Sequence, residues 1–371
     1  MEQSKSKKLF VKFEDAWCDL LGIPNPYTTP HDVWFSPIIP TSDIRAYNNN
    51  PNYNYIYDKL WIAKSQNLNC GELKYFKKAK FPIFIKPRWG HKSAGSKNCY
   101  KINNFIKLKP FLSKPDMMWS EYISEPEKMT DFILINGRII FQITAVYSDS
   151  VNGISDEWKL ISSENSPPYV IKKWTTEHLN GYTGIVNVQY RGDKIIEAGM
   201  RLSRGGAYIL SAQNTDLIHN INRLYMHNTW DFSKEEYLFD NFYAFKCYLP
   251  GPFVYVLPYF IIQSIMNNYS CKPFYEYYFE PVSKNKLCFF QFMHNDFETG
   301  MKVKKILENI FKLSQLFFIG FFLITILALL YNKTIGKKLL IIFIVLYSTR
   351  LLTPLNTQRS TFKMYKIRLL S

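Results

Sequence analysis

Twenty consecutive uncharged, mostly apolar residues lie between Lys312 and Lys333, and they constrain the fold more than any other feature of the chain. Wound as an α-helix at ~1.5 Å per residue, they reach about 30 Å, the thickness of a bilayer's hydrocarbon layer. The stretch predicts a transmembrane helix over 313–332. A second uncharged run, Leu339–Thr349, has eleven residues before Arg350. It spans only if Arg350 snorkels and the helix runs on toward Pro354. A second span over 339–355 and a re-entrant or interfacial segment therefore stand as equal alternatives. Lysines sit on both sides of the first stretch (Lys302, Lys304, Lys305 and Lys312, then Lys333, Lys337 and Lys338), which leaves orientation weakly determined by charge.

The net charge of +16 belongs largely to this tail. Residues 301–371 hold twelve basic side chains against one acid, Glu308, whereas residues 1–300 hold 34 basic and 29 acidic ones, a net of +5. A nucleic-acid binder would carry its excess on the folded body. The distribution predicts a membrane partner, reached through the C-terminal helix, and no nucleic-acid partner. A hydrophobic content of 47% excludes a disordered chain. Frequent Lys, Asn and Ile match an AT-rich coding sequence, of the kind some viruses carry. The cysteines, Cys18, Cys70, Cys99, Cys247, Cys271 and Cys288, form no C-x-x-C pair. Neither a zinc site nor a disulfide framework is expected, and a reducing compartment fits. The polar start, Met1 to Lys8, predicts no secretory leader and a cytosolic body.

Residues 1–55 read as a reduced N-terminal lead-in, with one helical patch near Phe13–Leu21 followed by Pro- and Asn-rich sequence. Residues 56–230 alternate strand and helix signals and form the main α+β domain. Ile83-Phe-Ile85 is a short strand entering a glycine-containing loop. Phe132–Ile135, Asn136-Gly137 and Arg138–Phe141 predict a hairpin, because Asn-Gly supplies the positive φ angles of a type I′ turn. Val186–Tyr190 and Lys194–Glu197 predict a second one around Arg191-Gly192-Asp193, with Asp193 as a turn residue. Pro167–Leu179 and Asp216–Tyr225 read as helices. Residues 231–312 form an aromatic-rich extension, in which the uncharged Cys247–Ser270 is interrupted by Pro250, Pro252 and Pro258. That segment is either buried core or a bilayer-surface contact. The transmembrane tail takes 313–371.

The chemistry-bearing run is Phe81-Pro-Ile-Phe-Ile-Lys86-Pro-Arg-Trp-Gly90-His-Lys92-Ser93-Ala-Gly95-Ser96. A buried strand delivers a lysine, and a loop of glycines, serines and cations follows, a composition suited to surrounding phosphate oxygens. It lacks the Walker A pattern. Next comes Glu121-Tyr-Ile123-Ser-Glu-Pro-Glu127, then the first hairpin. Last comes Asn187-Val-Gln189, with Ile196-Glu197-Ala-Gly199-Met-Arg201-Leu-Ser203-Arg204. Alternation along the two strands lets Gln189 and Glu197 face one side and share a divalent cation. Arg201, four residues on, is in reach of an anion held there.

In this order of motifs, residues 56–215 resemble the ATP-grasp superfamily of carboxylate–amine and carboxylate–thiol ligases. The last motif is most similar to those of carbamoyl-phosphate synthetase and biotin carboxylase. The resemblance implies an α+β fold of two subdomains enclosing a nucleotide cleft, with ATP and Mg2+ as cofactors. By position, Lys59 and Lys86 match the cations on the nucleotide phosphates, and Gly90, Lys92, Ser93, Gly95 and Ser96 match the loop that covers them. Glu121 and Ile123 fall at the adenine hinge, and Glu127 at the ribose. Gln189 and Glu197 match magnesium ligands, and Arg201 matches the arginine on the transferred phosphoryl group. Gly199 stands where the family's metal strand carries asparagine. His91 and His178 are expected to serve local structure.

The implied function is a membrane-tethered, ATP- and Mg-dependent ligase. It would activate an unidentified small-molecule carboxylate as an acyl phosphate for attack by an amine or thiol. The alternative is a degenerate domain acting as a non-catalytic, nucleotide-binding membrane scaffold.

Overall fold

The computed structural model describes residues 35–346 except 37, 41, 93–97, 149–155, 213, 234–239, 251–258, 275–279 and 284–285. The described residues divide between a core unit, Phe35–Ile209 with Asn214–Asn241, and a tail unit, Leu210–Gln213 with the residues from Phe242 onward.

The core unit begins with α1 (Asp43–Asn49), whose N-cap Ser42 accepts from the Arg45 N–H. A 3-10 turn, Pro51–Tyr57, leads to α2 (Lys59–Ser65), capped by Asp58. Then follow β1 (Cys70–Glu72), β2 (Ile83–Pro87), β3 (Tyr100–Ile102), α3 (Phe105–Leu108) and β4 (Met117–Glu121). The four strands form an antiparallel sheet ordered β1-β4-β2-β3. One face of it buries Ile83, Ile85, Ile102 and Trp119 with Leu73 and Phe76 of the 3-10 turn Leu73–Lys78 and with Leu108 of α3. Alternation sends Lys86 to the opposite face.

The larger sheet of this unit is built from β5 (Glu127–Ile135), β6 (Arg138–Tyr147), β7 (Trp158–Ser162), β8 (Gly184–Arg191) and β9 (Lys194–Gly199). They lie antiparallel in the order β7-β6-β5-β8-β9. The Asn-Gly turn forms as its chemistry predicts. Ile135 pairs with Arg138, and Asn136 and Gly137 hold φ of 49° and 77°. The second hairpin closes through Gly192, at φ 56°, with Arg191 opposite Lys194. Phe132, Leu134, Val186 and Val188, at alternate positions of β5 and β8, pack with Ile171 and Trp174 of α4 (Tyr169–His178). The helix read at Asp216–Tyr225 is α5 (Thr215–His227), capped by Asn214 and ending on Asn228 in the left-handed region.

In the tail unit β10 (Phe242–Pro250) pairs antiparallel with β13 (Lys286–His294), which also pairs with β11 (Lys272–Pro273) and β12 (Glu280–Ser283). The Pro-punctuated Cys247–Ser270 contributes the end of β10 and then α6 (Tyr259–Asn268), with 251–258 outside the described residues. The apolar stretch lies within α7 (Phe297–Tyr331), a 35-residue helix that starts sixteen residues before the expected one. Its first turns are amphipathic. Gly300, Val303, Leu307 and Phe311 are buried, and a Cβ on Gly300 would run into the Phe245 ring of β10. Lys304, buried, pairs with Glu308 at 2.7 Å, and Glu308 also accepts from the Tyr248 N–H. These two charges therefore serve packing against β10.

Beyond Lys312 the character of α7 changes. Leu316, Phe317, Leu323, Ile324, Leu327 and Leu330 are exposed. After Asn332 a further helix, α8 (333–346), turns back along it. Phe343 packs its ring on Phe318 at 4.8 Å and on Phe322 at 5.2 Å. Among the described residues α7 is the helix long and apolar enough to cross a membrane. The residues beyond 346 and the Phe13–Leu21 patch lie outside the described part.

Candidate active site

Lys86 reaches the centre of the site because β2 alternates, and it is 8% exposed. Its ammonium donates to the Ile196 carbonyl of β9 at 2.7 Å, which ties the small sheet to the large one. Burial, reinforced by the nearby charge of Lys59, pushes its pKa down to about 8.

Lys59 arrives on the first turn of α2, and a chain of ionic contacts fixes that turn. Asp58 accepts from the Leu60 N–H as N-cap, and both its oxygens also receive the Arg88 guanidinium, at 2.8 and 2.6 Å. Arg88 reaches Glu72 with its remaining nitrogen, and its carbonyl accepts from the Lys59 N–H. The strand that carries Lys86 thus pins the helix that carries Lys59. The Lys59 ammonium, 3% exposed, lies 3.1 Å from Glu197 Oε1.

Glu197 stands directly opposite Gln189 in the β8–β9 register. Cross-strand partners share a face, so these two oxygen-bearing side chains project to the same side. Gly90 lies beside them. A Cβ there would sit 3.4 Å from Glu197 Oε1 and 3.5 Å from the Tyr57 ring. Lys59, Lys86, Gly90, Gln189 and Glu197 come from four separate stretches of sequence and meet in one place. Cys99 belongs to the same electrostatic neighbourhood. Burial raises its thiol pKa while Lys59 and Lys86 oppose the rise.

The other expected residues are distributed around this centre. Glu127, at the start of β5, faces Arg191 across the sheet and pairs with it at 2.9 Å. Glu121 ends β4, where its N–H donates to the Asn69 carbonyl, and Ile123 follows half-buried in the connection to β5. Lys92 is exposed at the end of the turn Gly90–Lys92. Ser93, Gly95 and Ser96 lie outside the described residues. Both histidines have local aromatic partners. His91 stacks on Tyr47 at 3.8 Å, and His178 packs edge-on against Trp61 and Trp174.

Arg201 donates to Asp43 Oδ2 at 2.6 Å and to the Leu202 carbonyl at 2.9 Å. Asp43 is the first residue of α1, in the stretch read as lead-in, and its other oxygen fills an informative place. A Cβ on Gly199 would lie 2.9 Å from Asp43 Oδ1. A carboxylate from α1 therefore occupies the space that a side chain at 199 would take. Tyr57 completes this corner, accepting from the Met200 N–H at 2.9 Å.

Asp131 is the second acid that motif reading missed. Buried in β5, it accepts from Asn187 Nδ2 at 2.6 Å, from the Ser203 N–H and hydroxyl at 2.9 Å each, and from the Tyr208 hydroxyl. Burial lifts its pKa to about 6 against the pull of these donors. It thereby anchors the turn that carries Arg201. The signal for it was an acid at an inward position of a buried strand, opposite Asn187.

Among the described residues no group of three or more His, Cys, Asp or Glu side chains is placed to hold a metal by itself. The donor set available is Glu197, Gln189 and, across the Gly199 gap, Asp43. It consists of oxygens only, and it suits magnesium, which takes one or two carboxylates and completes its shell with water and phosphate.

Among solved structures the chain is similar to the L-amino acid ligase from Bacillus licheniformis, at 13% identity and a TM-score of 0.50, over 71% of this chain and 72% of that one. It is also similar to carboxyaminoimidazole ribonucleotide synthase from Aspergillus clavatus complexed with ATP (7% identity, TM-score 0.47, covering 69% and 73%). The N5-carboxyaminoimidazole ribonucleotide synthetase from Thermotoga maritima matches at 14% identity and a TM-score of 0.43, covering 69% and 72%. No protein-family model and no curated protein matches the sequence. At this identity the likeness carries the fold alone.

Proposed function

The chain has an ATP-grasp fold, and from that premise we propose that it is a membrane-tethered, ATP- and magnesium-dependent ligase. It activates a carboxylate as an acyl phosphate for attack by an amine or thiol. The observation that carries this reading is the convergence of Lys59, Lys86 and Glu197 beside Gly90.

Phosphoryl transfer asks for positioning and charge neutralisation more than for acid–base chemistry. The two buried lysines neutralise the phosphates, and Glu197 with Gln189 holds the magnesium, which supplies further neutralisation when bound. Arg201, steered by Asp43 and by the Asp131-anchored turn, meets the charge that develops on the transferred group. Glu127 takes the ribose, and the segment around Glu121 and Ile123 takes the base. The apolar exterior of the α7–α8 pair supports the tether, since a helix apolar on all sides is stable in lipid or in a protein interior.

The test supplies the chain with ATP, magnesium and a panel of carboxylates, with hydroxylamine as a general acceptor. ADP release together with hydroxamate formation is the expected result, and neither occurs without magnesium. The non-catalytic scaffold reading is favoured by the Asp43–Arg201 pair, which holds the arginine on an internal anion. It predicts nucleotide binding with no ADP release for any carboxylate.

A further inference from the structure

The body's modest +5 conceals a segregation of charge. Residues 64–116 contain thirteen basic side chains and two acids, a net of +11. Five of these basic side chains, Lys74, Lys77, Lys78, Lys107 and Lys109, lie in the layer that covers the face of the small sheet opposite Lys86. That outer layer consists of the turn Leu73–Lys78 and of α3 with its continuation Lys109–Phe111. Phe76 stacks on Phe105 at 5.3 Å, so the two segments present one surface. On it Ile106 is 82% exposed, Tyr75 65% and Phe105 46%, with Lys77, Lys78, Lys107 and Lys109 exposed around them.

We propose that this lysine-ringed apolar layer is a docking surface for anionic lipid headgroups, a membrane contact separate from the helical tail. Apolar side chains that enter the headgroup boundary within a ring of lysines are the pattern of interfacial binding. Polybasic surfaces near a membrane are drawn to its anionic lipids. A nucleic acid fits the surface less well. Arg88, the one arginine in 64–116, is committed to Asp58 and Glu72, so the surface offers point charges without forked donors. Its most exposed apolar residue, Ile106, is aliphatic, the Lys74 ammonium already lies over the Tyr75 ring at 4.9 Å, and Phe105 is stacked on Phe76. The proposal rests on the tether only in that α7 and α8 keep the surface at high local lipid concentration.

The full chain is reconstituted in nanodiscs of phosphatidylcholine, with and without phosphatidylserine, and backbone hydrogen exchange is followed. Residues 73–80 and 105–111 are expected to exchange more slowly in the anionic discs. The difference vanishes at high salt and in the variant Lys77→Glu/Lys78→Glu/Lys107→Glu/Lys109→Glu, whose melting temperature is unchanged. Equal exchange in both kinds of disc overturns the proposal, as does stronger protection by an oligonucleotide than by anionic lipid. Incorporation into neutral discs reads the tether on its own. If the chain does not enter them, flotation on phosphatidylserine vesicles reads the surface, with about a five-fold loss of partitioning expected per lysine removed and no flotation overturning it.

Discussion

The two sheets of the core unit are chemically unlike. Residues 64–116, which supply three of the four strands of the small sheet, carry a net of +11. Residues 117–241, which supply all of β5–β9, hold eleven bases against sixteen acids, a net of −5. The large sheet satisfies its acids internally: Asp131 by Asn187, Ser203 and Tyr208, Glu127 by Arg191. At the seam the cations come from α2 and β2, where Lys86 rests on a backbone carbonyl and Lys59 on Glu197. Two buried ammonium groups thus lie by Glu197, with Glu127 also acting on Lys86. On the proposed function, a ligand with several negative charges would meet these two amines, and replacing either partner of the seam tests that.

The largest expected effect breaks the comparison at Glu197. Glu197→Ala should lower ADP release by at least about 100-fold, the scale of losing one preorganised charge contact. It should also destabilise the core by about 1–2 kcal/mol, because buried Lys59 loses one acidic partner that is itself a third exposed. Replacing both partners, Lys59→Met with Glu197→Leu, should restore the melting temperature without restoring turnover. Turnover recovered by the double variant would reduce the pair to a structural bridge between the sheets.

Asp131 probes the large sheet alone. Its folded pKa, about 6, lies above the ordinary carboxylate value, so the native state binds a proton that the unfolded chain releases. The stability this contributes is fully present below about pH 4 and is lost as pH rises through about 6. Asp131→Asn should abolish that slope. It should also cost about 1–3 kcal/mol, since an amide N–H would confront the Ser203 and Tyr208 donors. Denaturant melts at pH 4 and pH 7 measure both.

Gly199 and Asp43 give a smaller effect. Gly199→Asn, which a motif reading offers as a repair, should instead reduce stability and turnover, because its Cβ would push the Asp43 carboxylate off the Arg201 guanidinium it holds at 2.6 Å. Combined with Asp43→Ala it should be tolerated, with a coupling of about 1–2 kcal/mol between the two changes. Additive effects would mean that the carboxylate does not stand in the space of the missing side chain.

Such contacts explain how much of this was legible beforehand. The hairpin at Asn136-Gly137 and the shared face of Gln189 and Glu197 follow from turn chemistry and alternation, which are local. Asp43 reaching Arg201 spans 158 residues, and nothing near Asp43 in sequence marks it. The start of α7 was hidden because Lys304 and Glu308 interrupt the apolar run, although Gly300, Val303, Leu307 and Phe311 keep a helical spacing. Averaging charge over 300 residues cancelled a basic sheet against an acidic one. The body that looked neutral by count is polar in space.

The finest probe of the seam is a proton. Lys86, pushed down to about 8 by burial and by Lys59, is less protonated than an unfolded lysine between about pH 8 and 10.4, so stability should rise across that window. Lys86→Met should flatten the rise. Phosphates placed against the amine would move its pKa back up. Binding of a non-hydrolysable ATP analogue with magnesium at pH 8 should therefore take up about half a proton, falling to none at pH 6. Binding heats measured in buffers of different ionisation enthalpy read this directly. The uptake should disappear in Lys86→Met and shrink in Lys59→Met, because removing the neighbouring charge, the lesser cause after burial, leaves Lys86 more protonated at pH 8. Binding without uptake in the native chain would mean that the phosphates lie away from Lys86, and that its amine serves the junction of the two sheets through the Ile196 carbonyl.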